Sequence, residues 1–163
     1  MDATIRDARR EDCGAMTAIY NHYVRTSTCT FALEDEPLAE RQRWFDAHGP
    51  RHPIVVAEER GEVIGWASLS SWNPRGAYAR TVESSIYLRD DRRGRGLGRL
   101  LLADLVARAA ALGHHTVLAG VSADQDASLA LHRALGFVEV ARMRELGWKF
   151  DRWIDVVFLQ RML

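Results

Sequence analysis

One carboxylate and one glycine-rich turn carry the most legible chemistry in this chain. Glu83 lies within Thr81-Val82-Glu83-Ser84-Ser85-Ile86-Tyr87-Leu88, a run of β-branched and aromatic residues that predicts a strand. Arg93-Gly94-Arg95-Gly96-Leu97-Gly98 follows, and a leucine-striped helix starts at once. A turn that opens a helix points unpaired backbone N–H groups at one spot, which makes an anion site. Gly96 and Gly98 let the backbone approach a pyrophosphate with no Cβ in the way, and Arg93 and Arg95 add charge-assisted contacts. The pattern therefore predicts a phosphate-bearing cofactor on the turn, with Glu83 acting on what reacts with it.

The turn excludes two common nucleotide sites. A dinucleotide fingerprint needs a third glycine, where this chain has Arg99 or Leu101, depending on the frame. The phosphate loop of nucleotide hydrolases ends in Gly-Lys-Ser/Thr, which is absent. Arg-x-x-Gly-x-Gly remains. Read blandly, it is a solvated arginine turn before an ordinary helix, and Glu83 an edge-strand side chain in solvent.

The elements that position these residues follow from periodicity. Residues 3–8 alternate as a first strand, and helix spacing runs from Arg10 towards Val24. Residues 26–31 are polar and β-prone. Pro37 starts a helix through Ala47, and Gly49-Pro50 ends it. Residues 54–57 and 63–69 flank Arg60-Gly61-Glu62 as a hairpin, and Asn73-Pro74-Arg75-Gly76 is a turn before a central strand over Tyr78–Leu88. Leu97, Leu100, Leu101, Leu105, Ala109 and Leu112 stripe the next helix, which Gly113 stops. A buried strand over 116–121 follows. A helix then starts at Asp124–Asp126, carries Leu129, Leu131 and Leu135, and ends at Gly136. Strands at 137–141 and 153–159 close the chain, with Gly147-Trp148-Lys149-Phe150 between them. The result is one α/β domain over residues 1–163 with mixed strand directions. The helical crossover makes the central strand and strand 116–121 parallel.

Composition narrows the function further. The 163 residues carry 22 Lys+Arg against 22 Asp+Glu, so no global field favours nucleic acid or an anionic membrane. An RNA-binding reading of the arginines at 89–99 lacks interleaved aromatics beyond Tyr87. No leader and no stretch of about 20 apolar residues is evident, which predicts a cytoplasmic protein with no membrane span. Cys13 and Cys29 match no redox or zinc spacing and have no activating base nearby in sequence. The six histidines show no metal spacing, so no metal is expected. His114-His115 reads as a surface pair after a helix stop. His132, among leucines, is either packed or catalytic. Arg75, Gly76, Ala77 and Tyr78 precede the central strand and are placed to roof an acceptor pocket, Arg75 by pairing with an anion and Trp72 as a wall; an exposed loop arginine is the plain alternative.

Arg-x-x-Gly-x-Gly between a strand and a long helix resembles the acyl-coenzyme A signature of the GNAT N-acetyltransferases. Asn21-His22-Tyr23, Thr26-Ser27-Thr28, Thr81-Val82-Glu83-Ser84, Leu131-His132 with Leu135-Gly136-Phe137, and Lys149 to Asp155 with Gln160 are similar to the phosphinothricin and methionine sulfoximine acetyltransferase branch. The resemblance spans nearly the whole chain. It implies a mixed central sheet of about six to seven strands flanked by helices. It also implies Ile86, Tyr87 and Leu88 pairing with the pantetheine arm, Arg93 to Gly98 on the pyrophosphate, and Gln125 (usually Asn in the family) with Ser128 facing the coenzyme. Glu83 takes the place of the general base, and His132 stands where many relatives outside the branch have a tyrosine that protonates the leaving thiolate.

The implied reaction is acetyl transfer from acetyl-CoA to the α-amine of a small amino acid or analogue, in a homodimeric enzyme. Such an amine has a pKa near ~7.7–8.0, so a carboxylate acting through water suffices to take its proton, and a strand N–H near Tyr87 or Leu88 would stabilise the developing oxyanion. The alternatives are acylation of a peptide N-terminus or polyamine, and a non-catalytic acyl-CoA-binding module.

Overall fold

A computed structural model describes residues 3–163. A seven-stranded mixed sheet runs β1 (Thr4–Asp7), β2 (Ile54–Glu59), β3 (Glu62–Ser71), β4 (Thr81–Leu88), β5 (Thr116–Ser122), β7 (Arg152–Met162) and β6 (Val138–Lys149). All neighbours are antiparallel except β4 and β5. Helices α1 (Cys13–Thr26) and α2 (Leu38–Ala47) pack on one face, and α3 (Leu97–Ala111) links β4 to β5. A shorter helix, α4 (Asp126–Ala134), follows β5.

Helix α3 organises the larger core. Leucine, alanine and arginine favour helix throughout it, and Val106 is its one β-branched residue. Leu97, Leu101, Leu102, Leu105, Val106 and Ala109 are buried against Val55, Ala67, Val82 and Val117 of the sheet. Each fully buried leucine contributes about 1.5–3 kcal/mol. The stripe is turned slightly from the expected one: Leu100 is exposed, and Leu102 and Val106 take its place. The helix ends in a Schellman motif, with Gly113 at φ +77° and bonds from His114 N–H to Ala109 O and Gly113 N–H to Ala110 O. The other face of the sheet holds Trp66 and Tyr87 against Met16, Ile19 and Tyr23 of α1.

Two expected boundaries move, and one expected surface residue is buried. Tyr78 belongs to a 3₁₀ turn, Gly76–Tyr78, and the central strand begins at Thr81. Gly147 to Lys149 lie inside β6, whose pairing shifts register between Met143 and Gly147; the chain reverses at Phe150 and Asp151, both at positive φ. His114 is buried and its Nε2 donates to the Arg51 carbonyl at 2.7 Å, so it is not a surface residue.

Candidate active site

The central feature is a split in the sheet. β4 stays paired with β3 along its whole length, from Val82–Ser71 to Leu88–Gly65. Its parallel pairing with β5 covers only Thr81 to Glu83, opposite Thr116 to Leu118. Beyond Glu83 the two strands part and open a cavity of about 500 Å³. Bonds from Arg89 N–H to Ile64 O and from Trp72 N–H to Thr81 O fix the alternation on β4. Odd residues turn their backbone towards β3, and even residues turn theirs towards the gap. Ile86 and Leu88 thus present backbone groups to the cavity, while the Leu88 carbonyl accepts the Tyr23 hydroxyl. Tyr87 also lines the cavity, but its backbone turns the other way. Its N–H belongs to the β3 ladder, and its half-buried ring packs against Tyr20, Tyr23 and Trp66. Of the two strand donors expected near the reacting carbon, Leu88 N–H is the open one.

The glycine turn closes one end of the cavity. Gly94 and Gly96 sit at φ +74° and +79°, in the left-handed region that favours glycine. The first backward helical bond comes from Leu100 N–H to Gly96 O. The N–H groups of Leu97, Gly98 and Arg99 therefore have no acceptor within the helix. Gly98 is closely packed, since a Cβ there would stand 3.2 Å from Leu131 Cδ2. The Leu97 side chain points into the core, leaving only its N–H for an anion. Arg89 and Arg92 are spent on Glu62, Asp91 and Glu59. Arg93 holds Asp90 only at 3.5 Å, and Arg93 and Arg99 line the cavity. Arg95 is exposed outside the cavity lining, and neither it nor Arg99 has a carboxylate partner among the described residues.

Glu83 stands where β4 and β5 separate, half-buried and lining the cavity. Its carboxylate has no hydrogen-bond partner among the described residues, and burial alone raises its pKa above the ordinary value. Gly120, across the gap, leaves that space open: a Cβ would lie 3.3 Å from the Phe158 ring and 3.6 Å from Glu83 Oε1. Phe158 meets Trp72 edge-on at 6.1 Å.

His132 also lines the cavity, 5 % exposed and edge-on to Phe137. Its Nδ1 donates to the Ser128 carbonyl at 2.8 Å, which leaves Nε2 as a lone-pair acceptor. Burial lowers its pKa, which disfavours the protonated form. Ser128 lines the cavity beside it. Gln125 does so too, but its amide nitrogen donates to Thr28 Oγ1 at 2.9 Å, tying α4 to the loop after α1. Thr28 donates in turn to Asp124, and Lys149 Nζ holds the carbonyls of Ser27 and Thr30. The Asn21 amide clasps the backbone of Glu36 at both ends. These contacts give the Asn21-His22-Tyr23 and Thr26-Ser27-Thr28 segments a scaffolding role.

Arg75, Gly76, Ala77 and Tyr78 are exposed and do not line the cavity; the Arg75 N–H is held by Asn73 Oδ1. Trp72 alone of the expected acceptor set reaches towards the site, through Phe158. Sequence reasoning missed Gly120 and Phe158, which strand pairing brings beside Glu83, and Ser122, which lines the cavity further along β5. Burial raises the pKa of Cys29, which lines the cavity, and of Cys13, so neither is an activated thiolate.

The chain and its fold are similar to known proteins. Residues 4–137 match the Acetyltransferase (GNAT) family. An L-methionine sulfoximine/L-methionine sulfone acetyltransferase of Pseudomonas aeruginosa is 44% identical, with 98% of this chain and 94% of that protein aligned. A phosphinothricin N-acetyltransferase of Alcaligenes faecalis is 40% identical over 98% of this chain and 82% of its own length. The crystal structure of a GNAT superfamily phosphinothricin acetyltransferase from Sinorhizobium meliloti in complex with acetyl-CoA superposes with a TM-score of 0.96 at 41% identity, covering 100% of this chain and 89% of that one. With a fold that superposes over the whole chain and a family match running from β1 to Phe137, just before β6, the chain belongs to the GNAT family of acetyl-CoA-dependent N-acetyltransferases.

Proposed function

We propose that residues 1–163 act as one catalytic domain that acetylates the α-amine of a small amino acid or amino-acid analogue. The observation that carries this reading is Glu83, a partnerless, partly desolvated carboxylate at the mouth of the gap between β4 and β5. Acetyl-CoA, which the S. meliloti relative binds, supplies an activated acetyl group. The N–H groups of Leu97, Gly98 and Arg99, with Arg93 and the Arg99 side chain, suit its diphosphate; Ile86 and the Leu88 N–H suit an amide-bearing arm. Glu83 takes the proton from the attacking amine, and Leu88 N–H faces the oxygen that gains charge. His132 is a positioning residue with an acceptor aimed at the cavity. Trp72, Phe158 and the Arg75–Tyr78 turn border the acceptor side, and the relatives' names make methionine sulfoximine, methionine sulfone and phosphinothricin the first acceptors to test.

The same reading includes a homodimer. β6 is a twelve-residue edge strand, and Val138, Val140, Leu146 and Trp148 on it are 51–65% exposed. A long apolar edge is ordinarily covered, and a second copy of the chain is the proposed cover. Both cysteines are free, consistent with a reducing cytoplasm, and among the described residues no helix is long and apolar enough to cross a membrane.

Release of coenzyme A thiol from acetyl-CoA, measured against a panel of amino acids, these analogues, an N-terminal peptide and a polyamine, tests the reading. Turnover concentrated on the small α-amines supports it. Turnover only on the peptide or polyamine, or binding without thiol release, refutes it.

A further inference from the structure

The tip of the β6–β7 hairpin inverts the usual partition of side chains. Trp148, Phe150 and Trp153 are 50–56% exposed, while Lys149 among them is 3% exposed. A lysine is rarely buried this fully without a paired carboxylate, and Lys149 has none among the described residues. Its ammonium is spent on main-chain oxygens instead. Nζ donates to the Ser27 carbonyl at 2.7 Å and to the Thr30 carbonyl at 2.8 Å. Burial lowers its pKa, so the position carries a desolvation cost that an apolar side chain of similar length would avoid. Packing alone would be better served by methionine.

The face that carries Lys149 is docked on one segment. Gly147 and Lys149 alternate onto the same side of β6, opposite Ile154 and Arg152 of β7. The Phe31 ring lies so close over Gly147 that a Cβ there would stand 2.3 Å from Phe31 Cε2. Lys149 thus holds both ends of the turn at residues 27–30, and Gly147 seats the residue that follows it. Arg152, across from Lys149, pairs with Asp124 just before α4.

The turn held in this way is a wall of the cavity between β4 and β5. Cys29, inside the turn, lines that cavity, and so do Ser122 and Gln125, which are bound to the turn. Ser122 Oγ donates to the Thr28 carbonyl, Gln125 Nε2 donates to Thr28 Oγ1 at 2.9 Å, and Thr28 Oγ1 donates to Asp124 Oδ1 at 2.7 Å. Lys149 does not line the cavity itself. It acts on the lining through the main chain of residues 27–30.

We infer that Lys149 is a positioning residue for the acyl donor. Its two hydrogen bonds fix the turn at 27–30, and with it Gln125 before α4, as one side of the space the coenzyme occupies. The inference rests on the proposed reading of the cavity as the acetyl-CoA site. Removing the ammonium leaves Glu83 and the turn at 93–98 untouched, because neither contacts Lys149 or residues 27–30, and loosens the wall alone.

Lys149→Met, Lys149→Gln and Phe31→Ala are compared with the wild type in thiol release, and Cys29 is alkylated with N-ethylmaleimide with and without acetyl-CoA. Cys13 is fully buried and Cys29 is not, so alkylation reports on the turn. In Lys149→Met, KM for acetyl-CoA is expected to rise about tenfold and alkylation to quicken by a similar factor, with kcat and KM for the amine unchanged. Lys149→Gln keeps an N–H donor and is expected to fall between. Phe31→Ala, which loosens the same segment from its half-exposed side, is expected to show the same split at smaller size. If Lys149→Met does not fold, wild-type behaviour of Phe31→Ala overturns the inference. A fall in kcat with KM for acetyl-CoA unchanged, a rise confined to KM for the amine, or alkylation at wild-type speed in Lys149→Met also overturns it. Acetyl-CoA is expected to protect Cys29 in the wild type. If it leaves Cys29 open, the reading of the cavity falls and the inference with it. If it protects Cys29 while Lys149→Met keeps the wild-type KM, the cavity stands and the positioning role falls.

Discussion

Replacing Glu83 by glutamine keeps the size of the side chain and removes only its basicity. The carboxylate has no hydrogen-bond partner among the described residues, so the substitution strands no donor, and Gly120 leaves the amide the same room. The loss should therefore be that of general-base catalysis alone, about 10²–10⁴-fold in kcat, or about 3–5 kcal/mol. Thiol release with a saturating amine measures it, and KM for acetyl-CoA should stay within about twofold, because the coenzyme contacts are mostly backbone. The pH profile is a second readout. Burial raises the folded-state pKa of Glu83 above the ordinary value of 4.5, so the acid limb in the wild type lies above that value and should vanish in the variant. Stability should move the opposite way. A carboxyl whose folded pKa is raised contributes most below its unfolded pKa, and that contribution is lost as pH rises through the folded one. Glu83→Gln should thus melt higher than the wild type at neutral pH, and the gap should shrink towards pH 4. A loss below tenfold with the acid limb unchanged would refute the assignment, as would a variant that melts lower at pH 7.

Gly98 and Gly96 should respond with opposite signs. Gly98→Ala adds a Cβ 3.2 Å from Leu131, which lines the cavity, so KM for acetyl-CoA should rise about tenfold while Tm holds or rises, because alanine favours helix. Gly96→Ala forces an L-residue to φ +79° and should cost about 1–2 kcal/mol of stability, read by thermal unfolding; equal effects at the two sites would contradict this account. Val140→Glu on the exposed edge of β6 should weaken self-association at least tenfold in sedimentation, while a wild-type chain that sediments as a monomer would remove the proposed dimer.

The parts of the fold set by short-range signals were legible in the sequence. The α3 leucines, the stop at Gly113 and the strand-turn-helix order around Arg93–Gly98 depend on residues within a few positions of one another. What failed depends on distant partners. Gly147 in sequence looks like a break, yet pairing with Ile154 carries β6 through it, with the Phe31 ring lying over its open face. Nothing near His114 in sequence announces that the Arg51 carbonyl awaits it. The site divides the same way. Glu83 and the turn stood out by residue type, whereas Gly120 and Phe158 become neighbours of Glu83 only through β5 and β7. The directions of the Tyr87 and Leu97 side chains were not legible, because a motif gives position but not the direction in which a side chain points.

Splitting β4 from β5 assigns recognition of the two substrates to different chemical vocabularies. On the proposed function the coenzyme meets main-chain groups on a strand edge and a helix end, which any sequence able to keep the backbone path will supply. The amine then meets side chains on one face, at Trp72 and Phe158. Drift at those positions can change which amine is accepted while affinity for the acyl donor persists, so one scaffold is open to new acceptors without relearning how to hold its donor.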